Sequence, residues 1–422
     1  MPGIKVIGGK QLKGELEIQG SKNGALPVIA ATILNKGRTI LRNCPKILDV
    51  FHMINILEEL GCKTSWRGNT LYVDSRVINS TAVSKGSVRK MRSSILFLGS
   101  LIGRCNEVTI AYPGGCSIGK RPIGYHLEAL EKLNVKQEFL GENKEIIRCN
   151  TSGVIGRDIY LKFPSVGATQ NIILSTVISK GVTRIFNAAR EPEVTELCNY
   201  LVEAGARISS KDTLFIQIEG VEKLHDVEYN ISSDRIVTGT YMAAVAATGG
   251  DVIFLNTPNN QLNAIVELLE ETGCLIDGEE DYLRIVCNKR PHPIKTLETQ
   301  PYPGFPTDMQ SQLMTVLSIA DGESTIVEKI FESRYQNVSQ LKKMGAKIEV
   351  DGKKANIKGV NKLQAANVYA NDLRGGAALV IAGLIAEGRT IVNNSINIQR
   401  GYEDICRDLR LLGADIEYCS ED

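Results

Sequence analysis

LEELGCKT, residues 57–64, decides the fold, because the chain repeats the phrase five more times. It returns as LEKLNVKQ (130–137), LVEAGARI (201–208), LEETGCLI (269–276), LKKMGAKI (341–348) and LRLLGADI (409–416). The fifth position is Gly five times and Asn once, at 61, 134, 205, 273, 345 and 413, with gaps of 73, 71, 68, 72 and 68 residues. The pattern predicts a helix end, a residue in the left-handed region, then a strand. Gly enters that region without steric cost and Asn is the next best choice.

A second element keeps step with the first. Six helix-length stretches are apolar or small on nearly every side: SKNGALPVIAATIL (21–34), RKMRSSILFLGSLIG (89–103), SVGATQNIILSTVIS (165–179), SDRIVTGTYMAAVAATG (233–249), PTDMQSQLMTVLSIA (306–320) and NDLRGGAALVIAGLIA (371–386). A helix without a polar face must be buried all round. Short strand patterns follow, among them RTILRN (38–43), EVTIAY (107–112) and RTIVNN (389–394). The expected architecture is α/β, with six units of roughly 70 residues, helices inside and sheets outside. Six units exceed one core, so three and three are expected, dividing near Ser232–Ser233. The strand pattern KGELEIQG (13–20) precedes the first inner helix and is expected to join the second half. The expected domains are therefore 22–232, and 1–21 plus 233–422.

Composition narrows the function. A net charge of +1, 5% aromatic residues and a single Trp66 argue against nucleic-acid and membrane-surface partners. The apolar run AALVIAGLIA (377–386) is about half the ~20 residues of a membrane span. The opening MPGIKVIGGK has no signal-peptide character, so a cytoplasmic location is expected. Ten cysteines contain no CxxC, and four scattered histidines form no metal motif, so no metal site is expected.

Charged and capping residues gather where the inner helices should begin: Ser21, Lys22 and Asn23; Arg89, Lys90 and Arg92; Ser165; Ser233, Asp234 and Arg235; Asp308; Asp372 and Arg374. Helix N-termini attract anions. Six of them facing one interdomain cleft would hold a multiply anionic substrate. Plain capping is the competing account for Ser165, Ser233 and Asp308. It does not cover Lys22 or the Arg89–Lys90–Arg92 cluster, which are unfavourable there by about 0.3–1 kcal/mol each unless an anion is present.

One loop stands apart: YPGGCSIGKRP (112–122). Gly114-x4-Gly119-Lys120 has P-loop spacing, but Arg121 and Pro122 occupy the place of the magnesium-binding hydroxyl. A reactive Cys116, its thiolate favoured by Lys120 and Arg121, and an ordinary turn remain as readings. His126 reads as a bystander.

The motifs GSKNGALP (20–27), PGGCSIGKRP (113–122), FPSVGATQN (163–171), NAAREPE (187–193), DRIVTGT (234–240), FPTDMQ (305–310), DLRGGAALV (372–380) and RGYED (400–404) resemble the UDP-N-acetylglucosamine enolpyruvyl transferase family over essentially the whole chain. The resemblance implies two inside-out α/β barrel domains, each of three βαβαββ-like units, with the active site in the cleft between them. It implies transfer of the enolpyruvyl group of phosphoenolpyruvate to the 3′-hydroxyl of UDP-N-acetylglucosamine through a tetrahedral ketal, without metal or cofactor; a monomer is expected. Cys116 would donate a proton, add covalently to phosphoenolpyruvate and be alkylated by fosfomycin. Lys22, Arg121 and Arg400 would grip phosphate and carboxylate, with Asn23 and Arg92 beside them. Asp308 would be the base, flanked by Asp372 and Arg374. Pro122, Ile123, Gly124, Tyr125, Ser165, Val166, Gly167, Ile330 and Phe331 would bind the nucleotide, and Glu191 would orient the cleft. Phe163–Pro164 departs from a Lys–Val pair in some members, and Gln399 from an Asp. The shikimate-pathway enolpyruvyl transferase and a non-catalytic sugar-nucleotide binder are the alternatives; Cys116 and Asn23 speak against the first, the complete charged set against the second.

Overall fold

At all six repeat positions the backbone is left-handed, with φ of 107° at Gly61, 69° at Asn134, 102° at Gly205, 97° at Gly273, 88° at Gly345 and 94° at Gly413. These values come from a computed structural model, which describes residues 2–114, 118–119, 122–210 and 214–420. The chain separates into two units, one formed by residues 20–114 and 122–232, the other by 2–19, 118–119 and 233–420.

In the unit 20–232 the inner helices are Lys22–Ala31, Leu96–Cys105 and Val166–Thr176. Leu96–Cys105 packs on both of the others. Gly99 permits one of these contacts: a Cβ there would lie 2.6 Å from the carbonyl oxygen of Asn171, while its N–H donates to the Asn171 side chain at 2.6 Å. Two four-stranded sheets and one of three strands surround the helices. Their longest-range pairing is parallel, Val227–Asn230 beside Arg38–Arg42.

In the other unit the inner helices Arg235–Thr248, Gln310–Leu317 and Leu373–Ile385 pack against one another. Every residue of Leu373–Ile385 except Ile385 is buried, as a helix apolar on all sides requires. Three four-stranded sheets enclose this core, with one two-stranded ribbon. Leu12–Glu17 runs parallel to Gly250–Leu255 in one sheet. In another, Gly3–Ile7 lies between Arg389–Asn393 and Asp415–Cys419, antiparallel to both. Strands elsewhere in that position come from a hairpin in the same repeat, as Lys354–Lys358 does with Lys347–Asp351. The chain's opening strand thus completes its last sheet.

One helix departs from expectation. The stretch 89–103 is not continuous: Met91 is extended (φ −153°, ψ 150°) and separates a short helix Lys85–Lys90 from a 3-10 turn Arg92–Ile95 that leads into Leu96–Cys105. Arg89 and Lys90 therefore occupy the last turn of a helix, where cations suit the dipole. No anion is needed to explain them.

Candidate functional site

In the unit 20–232, Ser21 caps the first inner helix, its Oγ accepting from the N–H of Gly24 at 3.1 Å. Lys22 follows as the first helical residue. Its Nζ lies 2.7 Å from a carboxylate oxygen of Asp49, with side chains only 10% and 3% exposed. The anion that a cation at a helix start requires is supplied here by the protein. Asp49 sits in the first turn of the helix Leu48–Glu59, 27 positions from its partner, and nothing local marked it. Asn23 is half-buried beside Lys22.

Arg92 opens its 3-10 turn half-buried. Gly114 runs directly against the preceding helix end. A Cβ there would fall 2.1 Å from the carbonyl oxygen of Arg89, so this glycine answers to a neighbouring backbone. The third inner helix is capped by Ser165, which accepts from Ala168 at 3.4 Å, with Val166 and Gly167 in its first turn. Against Gly167 stands His126, buried and 2.8 Å from the Asn171 side-chain nitrogen. His126 is a packed core residue. Ile123 is buried at the start of the helix Gly124–Lys132, with Tyr125 half-buried and Pro122 exposed. Glu191 begins the helix Pro192–Glu203 without capping it. Phe163 is 40% exposed. Cys116 and Arg121, with Lys120, lie outside the described residues.

In the other unit Asp308 is the centre of a charged group. It lies in the 3-10 turn Thr307–Met309 before Gln310–Leu317. One carboxylate oxygen accepts from Arg334 at 2.8 Å and the other from Arg374 at 3.3 Å. The two guanidinium side chains are 2% and 3% exposed, the carboxylate 29%. Burial alone would lower the pKa of Arg374; the charges of Asp308 and Asp234 overcome that and raise it. Arg374 also donates to the Tyr402 hydroxyl at 3.3 Å, which contacts the Thr240 hydroxyl at 2.8 Å. Gln312 donates to Thr240 at 3.0 Å. All three inner helices therefore fix this arginine.

Asp372 is committed as a cap, accepting from the N–H groups of Arg374 at 3.0 Å and Gly375 at 2.9 Å. The fourth inner helix is capped by Asp234, at 2.8 and 3.0 Å from Ile236 and Val237; the expected Ser233 does not cap it. Arg400 is half-buried at the end of the short helix Ile396–Gln399. The turn that follows is held by Gln19, which donates to the Gly401 carbonyl at 3.2 Å and accepts from Glu403 at 2.9 Å. Ile330 and Phe331 donate their N–H groups to Glu328 at 2.8 and 3.0 Å. The Ile118 carbonyl accepts from Ser333 at 3.0 Å. Arg334, Glu328, Asp49 and Gln19 are the residues that sequence reasoning missed.

The thiols divide by environment. Burial pushes Cys62, Cys149, Cys198 and Cys406 up to about 12, so they stay protonated at neutral pH. Among the described residues no cluster of three His, Cys, Asp or Glu side chains could hold a metal ion, and no helix is long and apolar enough to cross a membrane.

Comparison with known proteins fits this geometry to a family. Residues 6–409 match the family model of EPSP synthase (3-phosphoshikimate 1-carboxyvinyltransferase). The chain is 48% identical to UDP-N-acetylglucosamine 1-carboxyvinyltransferase 2 of Caldanaerobacter subterraneus, over 98% of both chains. It is 43% identical to UDP-N-acetylglucosamine 1-carboxyvinyltransferase 1 of Clostridium perfringens, over 99% of both. In fold it is similar to the enolpyruvyl transferase NikO from Streptomyces tendae, with a TM-score of 0.89 at 22% identity, covering 100% of this chain and 99% of that one. EPSP synthase from Acinetobacter baumannii gives 0.77 at 16%, over 100% of both. The fold is accordingly that of enolpyruvyl transferases, inside-out α/β units with buried helices and outer sheets. The chain belongs to the carboxyvinyltransferase family, together with the UDP-N-acetylglucosamine 1-carboxyvinyltransferases.

Proposed function

We propose that the protein transfers the enolpyruvyl group of phosphoenolpyruvate to the 3′-hydroxyl of UDP-N-acetylglucosamine and releases phosphate. One observation carries the reading: near-half identity, over almost the whole length, to enzymes named for that acceptor. The EPSP synthase structure shares the fold at 16% identity.

In this reading C3 of phosphoenolpyruvate gains a proton while the sugar oxygen bonds to C2, giving a tetrahedral ketal. C3 then loses a proton and the C2–O bond to phosphate breaks. Cys116 donates the proton and is the site of covalent adducts with phosphoenolpyruvate or fosfomycin. Asp308 accepts the proton of the 3′-hydroxyl. Its two buried arginines fix the carboxylate's orientation, which is what a general base needs. Lys22, Arg121 and Arg400, with Asn23 and Arg92, stabilise the anionic groups. Pro122 to Tyr125, Ser165 to Gly167, Ile330 and Phe331 hold the nucleotide, with Asp372 and Arg374 at the reaction centre. The enzyme needs no metal or cofactor, works as a cytoplasmic monomer and begins peptidoglycan synthesis.

Phosphate release from phosphoenolpyruvate, measured with UDP-N-acetylglucosamine and separately with shikimate 3-phosphate, tests the reading. Release with the sugar nucleotide alone is expected, falling about 10²–10⁴-fold in Cys116→Ala while sugar-nucleotide binding persists. Release only with shikimate 3-phosphate overturns the acceptor. Unchanged turnover in Cys116→Ala overturns the thiol's role.

A further inference from the structure

Glu328 follows the strand Glu323–Val327 and is 2% exposed. A carboxylate that deep in a protein ordinarily faces a cation. The described donors to this one are neutral. One oxygen accepts from the Thr299 hydroxyl at 2.9 Å, from Ile330 N–H at 2.8 Å and from Phe331 N–H at 3.0 Å. The other accepts from the Thr307 hydroxyl at 2.9 Å. Thr299 in turn accepts from Lys329 N–H at 2.9 Å, closing the circuit. The side chain therefore joins three segments: the strand end at Thr299, the turn Lys329–Phe331 and the 3-10 turn that carries Asp308.

The two oxygens do different work. One shapes the turn at 329–331. The other reaches the residue directly before Asp308, whose own carboxylate is held by Arg334 and Arg374. Arg334 also donates to the Thr307 carbonyl at 3.1 Å, so Thr307 is gripped at both its main chain and its side chain. A buried carboxylate with every contact to a hydroxyl or an amide fixes distances and directions without adding a competing ion pair.

We propose that Glu328 is a positioning residue that sets the place of Asp308 through Thr307, and the shape of the Ile330–Phe331 contact through their N–H groups. The inference rests on the reading of Asp308 as base and of Ile330–Phe331 as nucleotide contact. It makes the two arms separable. Thr307→Val keeps the size of the side chain and removes only the arm to Asp308. Glu328→Ala removes both.

Steady-state phosphate release at saturating phosphoenolpyruvate and varied UDP-N-acetylglucosamine is the test. Thr307→Val is expected to lower kcat about 10–100-fold and leave KM for the sugar nucleotide within about twofold. Thr307→Ser, which retains the hydroxyl, is expected to restore kcat. Glu328→Ala is expected to lower kcat and also raise that KM about tenfold. Wild-type kcat in Thr307→Val, or an unchanged KM in Glu328→Ala with kcat lowered, overturns the inference. If Glu328→Ala does not fold, the valine and serine pair at Thr307 still decides the arm to Asp308, and Glu328→Gln, read by the same KM, decides the arm to Ile330 and Phe331. Absence of phosphate release from the wild-type protein defeats the underlying reading, a result distinct from an active enzyme indifferent to Thr307→Val.

Discussion

In residues 20–232 the inner helices with side-chain caps open on serines, Ser21 and Ser165; in residues 233–420 they open on aspartates, Asp234 and Asp372. Both residue types satisfy the same orphaned N–H groups. They leave opposite electrostatics behind. A serine cap leaves the positive end of the helix dipole uncompensated, and that end favours an anion. In the first unit that helix start carries Lys22, whose charge is met by the buried Asp49. An aspartate cap already carries the compensating charge. The second unit can therefore bury Arg374 at its helix start, held by Asp308 and within the field of Asp234. The same scaffold thus presents a cation supported by a carboxylate in one unit and a carboxylate supported by cations in the other. The proposed chemistry needs both, a grip on phosphate and an acceptor for a proton.

The contrast breaks most easily at its carboxylate. Asp308→Asn is expected to lower kcat for phosphate release by about 10²–10⁴-fold, since the amide cannot take the proton. A loss below tenfold would make Asp308 a structural counter-ion like Asp49. Asp49→Ala is expected to cost about 3–5 kcal/mol of stability by leaving Lys22 buried without that charge, measured by urea unfolding. The double variant with Lys22→Met is expected to regain most of that loss. The caps should give the smallest effects. Asp372→Ala is expected to cost about 1–2 kcal/mol, because two short bonds are lost. Ser165→Ala, with its single 3.4 Å bond, should cost nearer 0.5 kcal/mol. Equal losses in thermal unfolding would remove the distinction between the two kinds of helix start.

The repeat was legible because its rule is local. Left-handed backbone selects Gly or Asn, and six such residues at one period reveal the six units. A second local signal went unread: Asn43, Asn187, Asn256 and Asn394 follow strands of the units and are also left-handed, with φ of 49°, 53°, 56° and 61°. The burial of the inner helices was legible for the same reason, since their sequences have no polar side. The break at Met91 was not, because no Gly or Pro announces it and an extended Met can only be chosen by its surroundings. Around the site, motif residues were legible as types, and their partners were not. Asp49 for Lys22, Arg334 for Asp308 and Glu328 for Thr307 are chosen by tertiary packing over separations that no window of sequence spans.

Because Gly3–Ile7 lies between Arg389–Asn393 and Asp415–Cys419, one ladder of hydrogen bonds joins the segment before the first inner helix to the segment after the last. Nearly all of one unit comes from a single stretch of chain, residues 20–114 and 122–232, and domains generally fold as units with the earlier-made one first. In the other unit Leu12–Glu17 meets its neighbour at Gly250–Leu255, whereas Gly3–Ile7 meets its two only at Arg389–Asn393 and Asp415–Cys419. The order of the chain therefore favours an order of folding: the unit of residues 20–114 and 122–232 can close before the unit that needs Gly3–Ile7 paired with Asp415–Cys419. Deleting either Gly3–Ile7 or Asp415–Cys419 would open the same four-stranded sheet.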